Sequence, residues 1–169
     1  FSTKGIRMKD YLSVIRSTQI FSGISENEII AMLSCLEARK ESFAKDIFLL
    51  HVGDTIEEIG VVLSGSVLII QEDIWGNRNI LDKVGPGQIF AAAYACALGA
   101  VLKVSVYAES PVIAMFLNVK RILSMCPSAC AYHSRMIRNL LGILAEKNLA
   151  SSQKIIHVGQ RTTRSKIGR

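Results

Sequence analysis

From Arg39 to Leu117 the chain is cut into short stretches by turn signals at Gly53-Asp54, Ser64-Gly65, Gly76-Asn77 and Gly85-Pro86-Gly87. Between these turns apolar and polar residues alternate with a period of two. The pattern predicts strands over 39–43, 47–52, 58–63, 66–72, 78–83, 103–109 and 112–117. Many short strands with regular turns define a sandwich or barrel rather than a doubly wound α/β sheet.

Helical patterns flank this region on both sides. Tyr11–Ser17 and Glu26–Leu36 precede it, the second opened by Ser25 and Glu28 in capping-box spacing. Val119–Met125 makes a short helix after it, and Pro127 then falls where a first helical turn tolerates proline. Ser128 to Ile156 contains no proline and one glycine, Gly142, which predicts a helix of about 40 Å. Cys130, His133, Ile137, Leu140, Leu144, Lys147 and Ser151 alternate at spacings of four and three, a coiled-coil-like seam. Ala129, Tyr132, Met136 and Ile143 occupy another face, suited to packing on the barrel. A helix with two apolar faces needs two partners. The reading for the second is a parallel homodimer with Ile137, Leu140 and Leu144 in its seam.

Charge is uneven along the chain. Of 20 basic residues, Lys147, Lys154, Arg161, Arg164, Lys166 and Arg169 lie after Glu146, the last of the 14 acidic residues. The body is neutral and the C-terminal segment carries the whole net charge of +6. Such a segment suits a polyanionic partner, nucleic acid first, or a solvated helix end favoured by the helix dipole. Half of the residues are hydrophobic, enough for one packed domain of this length. No apolar run is long enough to span a membrane, and the expected location is the cytoplasm. "FSTKGIR" (1–7) reads as an appended scar, with Met8 as the natural start.

Helices, then a β-roll containing "GDTIEEIGVVLSGSVLII", a glycine-flanked loop and a long helix make an order that resembles the cyclic-nucleotide-binding fold. More narrowly it is similar to the Crp–Fnr family of bacterial transcription regulators. The residues carrying the resemblance are Gly53-Asp54, Leu63-Ser64-Gly65-Ser66-Val67, Gly85–Gly87 and the closing "RTTRSKIGR". It implies a mainly β protein: a double-stranded β-helix (jelly-roll) barrel with N-terminal helices and a long C-terminal dimerisation helix. The implied division is a sensor domain over 8–126, the dimerisation helix over 127–157, and over 158–169 the start of a winged helix-turn-helix domain. DNA would be read by the rest of that C-terminal domain, missing from this chain. The β-roll also serves kinases and channels as a regulatory module, so an effector-free scaffold with a vestigial pocket is the competing reading.

In the family's cyclic-AMP-responsive members, the loop carries a Gly-Glu pair that holds the ribose, then an Arg and a Ser or Thr that hold the cyclic phosphate. Aligned without gaps, the pair falls on Ala91-Ala92, the Arg on Leu102 and the hydroxyl residue on Lys103. Removing one partner of a buried charge pair costs about 3–5 kcal/mol, which argues against cyclic AMP. The pocket candidates are Gly87, Ile89, Phe90, Ala91, Ala92, Tyr94, Cys96, Leu102 and Lys103. Their chemistry suits a small apolar or aromatic effector, with Tyr94 and Lys103 as polar handles.

Cys126, Cys130 and His133 share a helix face if the helix reaches back past Pro127, and Cys96 lies in the loop expected near it. Thiolates and imidazole suit zinc, haem or iron–sulfur clusters. Free cysteine is commonly a small buried hydrophobe, however, and packing is the expected role. No metal site is assigned and the cofactor is left open. The chain contains no nucleophile elbow, HExxH, P-loop or dinucleotide fingerprint, so no catalytic residue is assigned and a regulator is expected rather than an enzyme.

Overall fold

The structure is a computed structural model, and it describes residues 8–97, 99–124 and 131–167. Single 3₁₀ turns at Met8–Tyr11 and Gln19–Phe21 bracket helix α1 (Leu12–Ser17), and α2 spans Glu26–Cys35. The expected capping box at α2 is formed: the Ser25 N–H donates to Glu28 Oε1 at 2.9 Å and the Glu28 N–H to Ser25 Oγ at 3.4 Å. The Ser25 backbone N–H, and after it the Ser25 hydroxyl, stabilise the ionised Glu28 carboxylate and lower its pKa.

Eight strands follow: β1 (Arg39–Phe43), β2 (Phe48–Leu50), β3 (Glu58–Ser64), β4 (Val67–Glu72), β5 (Arg78–Val84), β6 (Ile89–Phe90), β7 (Ser105–Ala108) and β8 (Val112–Asn118). They form two four-stranded sheets, ordered β1-β8-β3-β6 and β2-β7-β4-β5, with every pairing between strands antiparallel. The remaining helices are α3 (Ala92–Cys96), α4 (Val119–Leu123) and α5 (Ala131–Ile167). The jelly-roll with flanking helices is therefore the architecture observed. β6 and α3 were not expected. A two-residue strand is too short for a period to show, and α3 is a single turn of alanines around Tyr94.

Side-chain alternation explains the layers. Along β3, Val62 points between the sheets with Ala114 and Phe116 of β8. Ile59, Val61 and Leu63 point the other way, with Met115 and Leu117, into a second core formed with the helices. β3 and β8 are thus covered on both faces, which is why "EIGVVLS" and "VIAMFLN" read as almost unbroken apolar runs. The outward side of β5 has no such cover, and Arg78–Lys83 are exposed throughout.

Helix α5 docks on the N-terminal helices through Met136, Leu140 and Ile143, all part of the helical core. The Asn139 side-chain amide donates to the carbonyls of Ile20 and Ser22, both at 2.9 Å. One amide thereby satisfies two acceptors of the 19–21 turn and fixes the helix against it. The helix runs to Ile167 without a break, beyond the end expected near Ile156. With 37 residues it is about 55 Å long.

Phe90 has one permissive neighbour. It pairs in register with Gly60, and a Cβ placed on Gly60 would fall within the Phe90 ring. Gly60→Ala is expected to destabilise the fold by about 2 kcal/mol or more, lowering Tm by roughly 4–8 °C in a thermal melt. Gly85→Ala, where the nearest atom to an added Cβ is 3.8 Å away, is the control and should shift Tm far less. Equal melts for the two variants would contradict the packing described.

Candidate functional site

Phe90 ends the inner sheet and its ring meets Phe116 edge to face, with centroids 6.1 Å apart. The chain then turns sharply: Ala91 has φ of 65° and ψ of 17°, in the left-handed region. This places α3 across the opening between the sheets. The returning segment is held by backbone bonds, with the Leu102 N–H donating to the Asp54 carbonyl at 2.8 Å and the Gly53 N–H to the Leu102 carbonyl at 2.9 Å. Leu102 is consequently turned inward and 1% exposed, while Lys103 faces out.

A cavity of about 190 Å³ opens beneath this loop. Six of the expected residues line it: Ile89, Phe90, Ala91, Ala92, Tyr94 and Leu102. Three do not. Gly87 lines an adjoining cleft of about 350 Å³ between β5 and α5. Cys96 packs against the helical core, where burial raises its thiol pKa and keeps it protonated. Lys103, expected as a polar handle, lines neither cavity, because extended neighbours alternate and Leu102 occupies the inward side.

The cation at the cavity is Lys147 of α5, and the acid is Asp82 of β5; both line the apolar cavity and the adjoining cleft. Lys147 was placed on the seam by heptad spacing. It follows the buried Ile143 by one helical turn, and that i, i+4 relation was the available signal. Asp82 gave no signal, because β5 alternates too weakly for its faces to be told apart. Ala93, Val84, Ile69, Val104 and Val106 complete the wall.

Of the three residues expected in a dimer seam, Leu140 does not lie on an outward face. Leu140 is 3% exposed because it is buried in the chain's own helical core, and Ile137 and Leu144 are half-buried against that core. Among the described side chains of α5, Leu141, 63% exposed, and Leu149, 61% exposed, are the large apolar ones that face outward. Residues 137, 141, 144 and 148 keep the spacing of four and three with Leu141 replacing Leu140. Cys126 and Cys130 lie outside the described residues. His133 is buried with no hydrogen-bond partner for Nδ1 among the described residues, and no three candidate metal ligands gather among those residues.

The result is a β-roll closed by a short helix, with a small cavity walled by that helix, the returning segment and the long C-terminal helix. The cyclic nucleotide-binding domain family matches residues 40–128, and the chain belongs to that family. Among solved structures it is similar to the Thermus thermophilus catabolite activator protein, with TM-score 0.72 and 18% identity over 84% of this chain and 63% of that one. It also resembles a cyclic nucleotide-binding domain from Methylobacillus flagellatus, with TM-score 0.71 and 20% identity over 88% of this chain and 82% of that one. The sensor domain of the transcriptional regulator DNR from Pseudomonas aeruginosa matches with TM-score 0.65 and 16% identity over 87% of this chain and 92% of that one. The chain thus spans 63% of the Thermus thermophilus protein's length. No curated protein matches the sequence significantly.

The left-handed Ala91 stands where cyclic-AMP-responsive relatives are expected to carry the glycine of their Gly-Glu pair. Backbone geometry that glycine adopts freely costs an alanine about 1–2 kcal/mol, partly offset by the higher entropy of an unfolded glycine. Ala91→Gly should therefore stabilise the domain by about 0.5–1 kcal/mol, raising Tm by roughly 1–4 °C. A melt that is unchanged or lower would show that the turn is not strained.

Proposed function

We propose that the chain is the effector-sensing and dimerisation region of a Crp–Fnr-type transcription regulator that does not respond to cyclic AMP. The observation that carries this reading is the double role of α5. Lys147 lies in the wall of the cavity, while Leu141 and Leu149 on the same helix face outward. An effector that changes how α5 packs on the roll would thereby change how two such helices meet. Two DNA-reading domains carried beyond them would be re-spaced. The basic residues after Glu146 suit a polyanion downstream of the sensor. No helix among the described residues is long and apolar enough to cross a membrane.

The case against cyclic AMP rests on two buried positions. Ala92 and Leu102 are each 1% exposed, and the gapless alignment puts the ribose and phosphate grips there. Neither side chain accepts from a sugar hydroxyl or neutralises a phosphate. A cyclic nucleotide would bury its charge against alkyl groups, at a cost of several kcal/mol.

Two measurements test this reading. Isothermal calorimetry with cyclic AMP should give no binding heat at micromolar concentrations; a micromolar dissociation constant would refute the assignment of Ala92 and Leu102. Sedimentation equilibrium should show a dimer, and Leu141→Glu should weaken it about tenfold or more while leaving the melt nearly unchanged. A monomer at all concentrations would remove the dimerisation role.

A further inference from the structure

We propose that the occupant of this cavity is a small apolar carboxylate whose anionic end is taken by Lys147. The inference rests on the effector-sensing reading above and adds the ligand class to it. Three observations converge.

The first is size and lining. A cavity of about 190 Å³ exceeds the roughly 150 Å³ that holds benzene in an engineered apolar core. One ring, or a short alkyl chain, fits between Phe90, Leu102 and Val106. The lining leaves the two former nucleotide-gripping positions as hydrocarbon, so the buried part of the ligand must be hydrocarbon too.

The second is the single cation. Lys147 lines both the apolar cavity and the larger cleft beside it, so the residue lies where the two meet. Among the described residues it has no ion pair within 4.0 Å, whereas the neighbouring Lys83 is engaged by Glu109 at 3.1 Å. Lys147 is therefore the lysine free to take an incoming anion. Its ammonium is a compact point charge, able to neutralise a carboxylate without the two-pronged geometry that Arg supplies.

The third concerns the acid. Asp82 lines the same junction, but its Oδ1 accepts the Lys83 backbone N–H at 2.8 Å. That bond directs part of its charge to the β5 backbone. Asp82 then disfavours a ligand with more than one negative charge, which selects a monoanion over a dianion such as a phosphate monoester. The hydrocarbon end of such a ligand touches α3 and the roll, and its charged end touches α5. Binding would join the two parts whose relative packing the effector is proposed to set.

The test uses matched pairs that differ only in charge: phenylacetate with phenylacetamide, and hexanoate with hexanamide. Binding is followed by calorimetry and by amide chemical-shift changes at Ala92, Tyr94 and Leu102. At least one carboxylate is expected to bind with a dissociation constant below about 1 mM, at least tenfold more tightly than its amide. Lys147→Met should remove that preference and Lys147→Arg should keep most of it. Lys147 is exposed, so these variants fold. Asp82→Asn should tighten carboxylate binding. If acid and amide bind equally and Lys147→Met changes neither, the carboxylate assignment is overturned while the effector reading stands. If no member of either pair moves the loop amides, both are overturned, in favour of an empty scaffold.

Discussion

The contact on which the site depends is the Phe90 ring lying against Gly60. Without a side chain at 60, β6 can approach β3 closely enough for the ring to enter the space between the sheets and meet Phe116. That ring closes one end of the inner core and is also the floor of the cavity. Because Phe90 is anchored, the next residue must turn away sharply, and Ala91 does so in a left-handed conformation. The short helix α3 and the returning Leu102 segment then have one place to go, across the mouth. A ring packed on a glycine thus sets where the loop starts, and the backbone bonds of Leu102 to Gly53 and Asp54 set where it returns.

A second constraint acts from the other side. The Asn139 amide and the apolar residues Met136, Leu140 and Ile143 hold the first part of α5 on the N-terminal helices. Beyond Leu144 the helix has fewer partners: residues 145 to 150 are all exposed. Lys147 lies in this exposed stretch, next to Glu146, whose carboxylate accepts from Gln19 Nε2 at 3.2 Å. Under the proposed function, a group bound at Lys147 would bear on this stretch of the helix and any tilt would be carried along it.

The strands of the roll were legible because most of them are half-buried or doubly buried and therefore carry strong patterns. β1, β3, β4 and β8 begin and end within a residue or two of their expected limits. α2 was legible from its cap, which depends on two polar residues at fixed spacing. The jelly-roll came from the turns. The parts that were missed share a physical feature: they depend on tertiary contacts rather than local repetition. β6 exists because Gly60 admits Phe90, and α3 exists because Ala91 accepts a strained turn. Leu140 was assigned outward because a seam pattern fits two adjacent registers equally well. The N-terminal helices choose between those registers, by covering Leu140 and leaving Leu141 bare. Lys147 fell on the cavity for the same reason, once Ile143 was known to face inward.

The replacement of polar by apolar residues in the loop bears on stability as well as recognition. A nucleotide pocket that awaits its ligand must hold a carboxylate and a guanidinium unpaired in a partly desolvated site, which is costly. With Ala92 and Leu102 in those places, the empty pocket instead contributes to packing: Ala92 belongs to the helical core, and Leu102 is among the most fully buried large side chains. The free protein is then less dependent on its ligand to close the loop. The proposed effector would gain correspondingly little from relieving buried charges and would draw its binding energy from displaced water and from Lys147. An effector of that kind acts chiefly through where its charge is placed, and the charge at the rim belongs to the helix that leaves the domain.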